Sequence, residues 1–209
     1  YKADTEAPLP MIYQSGYLTI KDWNMDTDSY LLDFPNDEVK GGFVTMVAAN
    51  YLKPKESPDA WVVEVVNTMK MGDCDKLEKL LTSFFASIPY SQRRKDDERE
   101  KERYFQYTFY LVIRMISSFT VLIEKEQSEG RVDCIIETPM FVYIFEFKRD
   151  GSATEALKQI EEKGYAREYA TDNRTIYLIG CNFSSKTGTI DDWKSKGENL
   201  RKLSDFSDK

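Results

Sequence analysis

The chain has 209 residues, 41% of them hydrophobic, with 13 Tyr, 12 Phe and 3 Trp, which is enough apolar material for one large or two small cores and excludes a disordered segment. The net charge of −7 is unevenly spread. Residues 1–90 carry 8 basic and 14 acidic side chains, and residues 91–209 carry 21 and 22. A strongly basic nucleic-acid footprint is therefore excluded, and only the near-neutral rear part leaves room for a local basic groove.

There is no histidine, which removes His-containing zinc sites and Ser-His-Asp or Cys-His nucleophiles. Cys74, Cys134 and Cys181 are few, odd in number and widely spaced, and read as reduced thiols of a cytoplasmic protein. No apolar run reaches the roughly 18 residues of a membrane span. Tyr1 to Pro10 is polar, with Asp4 and Glu6, and does not read as a signal peptide. With no initiator Met, the chain reads as a fragment of something longer.

Residues 1–53 are expected to form a small hairpin-and-helix unit. Tyr17 to Lys21 and Tyr30 to Phe34 read as strands around a polar turn. Pro35-Asn36-Asp37-Glu38 is a helix start, and Val39, Phe43, Val44, Val47 and Tyr51 recur at helical spacing up to Pro54. A nucleic-acid wing is the less favoured reading here, because the stretch is acidic. Residues 54–92 predict a helical connector: a Pro- and charge-rich linker, then two helices broken at Gly72-Asp73, with Asp73 as N-cap.

Residues 93–190 predict a domain of helix, three strands, helix and strand. Arg93 to Arg103 mixes charge signs, as an exposed half-helix laced with i, i+4 pairs would, and Tyr104 to Ser118 continues it as a buried half. Glu102 sits at that junction. Strands are expected over Thr120 to Glu126, Arg131 to Thr138 and Met140 to Lys148. Ser152 and Glu155 then form a capping-box signal for a helix running to about Tyr169, and Thr175 to Asn182 is the next strand. Residues 191–209 read as a polar tail. No Gly-rich phosphate loop of the G-x-x-x-x-G-K-[ST] type is present, so no ATP site is expected.

The residues with chemistry lie on two adjacent strands. In residues 142–148, side chains alternate, so Glu146 and Lys148 share one face of their strand. In a hairpin turning at Thr138-Pro139-Met140, Asp133 lies opposite the Glu146 end. Two carboxylates and an ammonium then meet where a β-rich apolar stretch should avoid charge. Hard divalent cations take one or two carboxylates and keep several waters, and a nearby lysine steadies a charged transition state. By itself E-x-K is a common strand-end ion pair, and its bland reading is a solvated surface pair.

The order of elements, with G-R-V-D at 130–133 and Y-I-F-E-F-K at 143–148, resembles the PD-(D/E)XK nuclease-like superfamily. E-R-Y-F-Q-Y at 102–107, E-A-L-K-Q-I-E-E-K-G-Y-A at 155–166 and I-G-C-N-F at 179–183 resemble a bacterial branch in which this domain follows an AAA-ATPase-like domain. Y-Q-S-G-Y-L-T-I-K at 13–21 and L-L-D-F-P-N-D-E-V at 31–39 look like the end of the ATPase-like part.

The resemblance implies an α/β, restriction-endonuclease-like core preceded by a small α+β and helical subdomain. It implies a Mg2+- or Mn2+-dependent endonuclease acting on nucleic acid, DNA in the first place. Asp133 and Glu146 would bind the metal, Lys148 would act on the water or the scissile phosphate, and Glu102 would complete the acidic site. Gln159 and Tyr165 match a Gln and Tyr that support the site or touch the nucleic acid. Glu124 or Glu126 stands as an alternative to Glu102. Val132 precedes Asp133 where the superfamily's name has Pro. The alternative function is a catalytically weak or inactive interaction module coupled to the ATPase-like domain.

Overall fold

The computed structural model describes residues 9–52, 58–88, 108–110, 112–114 and 119–198. The front unit begins with a short helix α1 (Leu9–Gln14) and a hairpin of β1 (Thr19–Asn24) and β2 (Ser29–Asp33). Trp23 and Tyr30 are cross-strand partners whose rings stack at 6.4 Å. Asn36 accepts from the Val39 amide at the start of α2 (Asp37–Leu52), where Asp37 and Glu38 also favour the helix dipole. Phe43 on α2 packs on Tyr17 and Phe34, with ring centroids 5.0 and 5.5 Å away.

Helices α3 (Pro58–Met71) and α4 (Cys74–Ser87) are broken where the sequence predicts, and Asp73 accepts from the Lys76 amide as N-cap. The apolar face of α4 buries Leu77, Leu81, Phe84 and Phe85. Helical residues at 108–110 and 112–114 add Phe109, Val112 and Ile113 to the same core. The remainder of the expected 93–118 helix, Glu102 included, lies outside the described residues.

A five-stranded sheet follows: β3 (Thr120–Gln127), β4 (Gly130–Glu137), β5 (Phe141–Arg149), β6 (Thr175–Phe183) and β7 (Ile190–Glu198), adjacent in that order. All neighbours are antiparallel except β5 and β6, which are parallel. A parallel pair needs a crossover, and α5 (Ala153–Lys163) supplies it. One face of the sheet packs on α3, α4 and Phe109, and the other on α5. The predicted capping box is present: Ser152 accepts from the Glu155 amide at 3.1 Å while Glu155 accepts from the Ser152 amide at 3.0 Å. This mixed sheet with flanking helices is the restriction-endonuclease-like α/β class.

Two expectations are corrected. The α-helix stops at Lys163 rather than near Tyr169, because Gly164 takes a left-handed conformation (φ 61°) and its amide turns back to the Ile160 and Glu161 carbonyls. Residues 167–169 form a separate 3-10 turn. Residues 191–198, expected in a polar tail, belong to strand β7. Ile190 and Trp193 pack into the core, whereas Lys194 and Lys196 on this edge strand are exposed, as edges that must not pair further often are. Among the described residues no helix is long and apolar enough to cross a membrane.

Candidate active site

The β4–β5 ladder pairs Cys134 with Phe145 at its last rung. Continued by one residue, that register sets Asp133 across from Glu146, as the hairpin reading requires. The ladder gives way there to a side-chain contact: Asp133 Oδ2 accepts from the Phe147 amide at 2.8 Å. The main chain of Asp133 is held as well, since the Tyr110 hydroxyl donates to its carbonyl at 3.2 Å.

Glu146 is 3% exposed. Its Oε1 accepts from Lys148 at 3.2 Å, whereas Oε2 is buried with no hydrogen-bond partner among the described residues. Burial pushes the Glu146 carboxyl up to about 7; Asp133 adds to the rise and Lys148 opposes it. Burial also raises Asp133, offset by the Phe147 amide and Lys148. These are the environments in which carboxylates become reactive or ligating.

Lys148 is anchored from the crossover helix. Its ammonium donates to Gln159 Oε1 at 2.6 Å. Burial raises the Tyr165 hydroxyl, and the neighbouring Gln159 side chain opposes that rise. Tyr165 in turn donates to the Arg131 carbonyl at 2.9 Å. A chain of hydrogen bonds therefore links Gln159, Lys148 and Glu146, with Tyr165 beside Gln159 and tied to the backbone next to Asp133. Tyr165 is buried, and it reaches this chain because the left-handed Gly164 turns it out of the helix and back under the sheet.

Helix α5 can reach Lys148 because it lies very close to β6. Gly180, the cross-strand partner of Glu146, faces the helix backbone, and a Cβ there would run into the Ala153 carbonyl oxygen and stand 2.8 Å from the Leu157 nitrogen. Asn182 and Asp192 hold the turn after Lys148. Asn182 accepts from the Gly151 amide at 2.9 Å and donates to Asp191 at 2.8 Å; Asp192 accepts from Ala153, the first amide of α5, at 2.8 Å. Sequence reading missed Asp192 because it missed β7, and gave Asn182, at the end of the expected 175–182 strand, no role of its own. The available signal was Thr187-Gly188 between two apolar-flanked stretches, a hairpin turn.

The structure thus brings together Asp133, Glu146, Lys148, Gln159 and Tyr165. Glu124 lies on β3, facing Asp133 of β4 in register, exposed and 3.8 Å from Arg131, and Glu126 pairs in register with Arg131 itself. Among the described residues no three acidic, Cys or His side chains converge tightly enough to hold a metal. Asp133 and Glu146 form a two-carboxylate set.

Residues 100–193 match the family model of the PD-(D/E)XK nuclease superfamily. An uncharacterized protein in the vnfD 5' region of Azotobacter chroococcum mcd 1 is 31% identical over 184 residues, which cover 86% of this chain and 36% of that protein. The chain therefore spans well under half of that relative's length. No solved structure matches the chain. Residues 100–193 are accordingly a domain of the PD-(D/E)XK nuclease superfamily.

Proposed function

We propose that this chain is a Mg2+- or Mn2+-dependent nuclease that hydrolyses phosphodiester bonds of DNA at Asp133, Glu146 and Lys148. The observation that carries this reading is Glu146 Oε2, a buried carboxylate oxygen without a partner among the described residues, beside a second half-buried carboxylate and a tethered lysine. A buried charge left unpaired is costly, and a hard cation is the partner that this donor set fits. Mg2+ needs only one or two carboxylates, since water and substrate phosphate oxygens complete its shell. Asp133 and Glu146 would hold the ion. When bound, a divalent ion supplies an activated water and neutralises charge on the phosphoryl oxygen.

The chain's own residues do the rest. The Phe147 amide fixes Asp133 through Oδ2. Lys148 spends two of its three N–H donors on Gln159 and Glu146, which leaves one for the attacking water or a non-bridging phosphate oxygen. Gln159 and Tyr165 are assigned to holding Lys148, rather than to contact with the nucleic acid. An ATPase-like domain in the same polypeptide is the proposed partner, supported by the resemblance at residues 13–39.

The test is cleavage of supercoiled and single-stranded DNA with Mg2+ or Mn2+ by the wild-type chain, Glu146→Gln and Lys148→Met. Nicking by the wild type that both variants lose supports the reading. Equal nicking by all three contradicts it.

A further inference from the structure

The β3–β4 ladder has a defect at one rung. Thr120 to Ile123 pair with Glu137 to Cys134, and Lys125 to Gln127 pair with Val132 to Gly130, all with one constant offset. Glu124 and Asp133 face each other in that offset, yet this rung is missing from the ladder. Glu124 has φ 50°, the left-handed region, within a strand. Among the described residues the other two non-glycine residues with positive φ, Asp28 and Asp150, lie outside strands, just before β2 and just after β5.

The consequence is visible in which way side chains point. Before the defect, Leu122 and Ile135 lie on the α5 side, and Ile123 and Cys134 on the other. Beyond it, Lys125 reaches Glu168 and the Tyr169 ring, Gln127 reaches Glu168, and Val132 joins the α5-side cluster. Leu122 and Lys125 are three apart, as are Val132 and Ile135, and each pair shares a face. A regular strand alternates with period two and cannot place them so. Both strands therefore slip by one residue at the same rung. Such irregularities re-aim a side chain near active sites, and the one re-aimed here is Asp133, whose carboxylate meets the Phe147 amide at 2.8 Å.

The Glu124 side chain does not account for the conformation. It is about half exposed, and its distance to Arg131 is 3.8 Å. A left-handed residue other than glycine, asparagine or aspartate persists where its surroundings impose it.

Resting on the reading of Asp133 as a metal ligand, we propose that Glu124 is a positioning residue whose left-handed backbone carries β3 through the slip that aims Asp133. The site's cation affinity then depends on what residue 124 allows its backbone to do, and not on its carboxylate. Glu124→Gly removes the carboxylate and keeps positive φ accessible. Glu124→Val removes the carboxylate and resists positive φ.

Two readouts on the 209-residue chain test this. By calorimetry with MnCl2, Glu124→Gly is expected to bind within about twofold of wild type, while Glu124→Val weakens binding by roughly 10-fold or more, the scale of supporting residues around metal sites. By NMR without metal, the Phe147 amide proton keeps its wild-type shift in Glu124→Gly and moves in Glu124→Val. An unmoved Phe147 amide in a folded Glu124→Val overturns the proposal, and so does a Glu124→Gly that loses binding as Glu124→Val does. If Glu124→Val does not fold, Glu124→Ala takes its place in both measurements, with the same expectations. The amide readout needs no metal, so it stands even if Asp133→Ala leaves Mn2+ binding intact, the result that would sink the metal assignment alone.

Discussion

Lys148 donates to Gln159 Oε1 across 2.6 Å, a shorter approach than the 3.2 Å to its strand neighbour Glu146. The ammonium is thus held by the crossover helix at least as firmly as by its own strand. Gln159→Ala is expected to lower the cleavage rate about 10- to 100-fold, as loss of a supporting partner does, and to leave Mn2+ affinity nearly unchanged. Rate and affinity measured side by side check this. Equal loss of both would place Gln159 at the ion instead.

Glu146 makes stability fall as pH rises. Its folded pKa is raised from 4.5 to about 7, so the folded state holds this proton more tightly than the unfolded chain does. Below pH 4.5 the group is neutral in both states and costs nothing. Above about 7 it is charged in both, and burial of the charge is fully felt, on the order of 3 kcal/mol. Urea unfolding of the metal-free chain at pH 5 and pH 8 is expected to show Glu146→Gln gaining on the wild type at pH 8. No difference between the two pH values would show that Glu146 is not buried as a charge.

Gly180 sets how close α5 lies to the sheet. Gly180→Ala forces its methyl group onto the Ala153 carbonyl and the Leu157 nitrogen, and backbone cannot swing aside as a side chain does. The expected loss is roughly 1–3 kcal/mol or more, read as a lower urea midpoint. A midpoint equal to the wild type would mean that the helix–sheet spacing is slack.

Asp192 ties β7 to the start of α5 through the Ala153 amide. Asp192→Ala is expected to cost about 1–2 kcal/mol, the worth of a charge-assisted bond at a helix start. Chemical denaturation checks it, and an unchanged midpoint would remove β7 from the support of α5.

Much of this fold is legible in the sequence because its signals are local. Alternation in residues 142–148 fixes the facing of Glu146 and Lys148, Thr138-Pro139-Met140 fixes the turn, and that turn brings Asp133 across. Ser152 and Glu155 mark the start of α5. The sequence hides what depends on tertiary partners. Strand β7 is an exposed edge, so Asp191, Asp192, Lys194 and Lys196 dilute its pattern, and only Ile190 and Trp193 report a core. Tyr165 looks misplaced on a helix continued past Lys163, and falls into place only when Gly164 ends that helix. The slip at Glu124 leaves no trace in composition at all, because glutamate is an ordinary strand-edge residue and its φ belongs to a slip that β3 shares with β4.

The central claim is that Asp133 and Glu146 together hold a divalent cation. Calorimetric titration of MnCl2 into the wild-type chain, Asp133→Ala and Glu146→Gln tests it most directly. The account predicts saturable binding to the wild type and at least about a tenfold loss in either variant, with all three folded by circular dichroism. Equal Mn2+ affinity in the wild type and in both folded variants would contradict it.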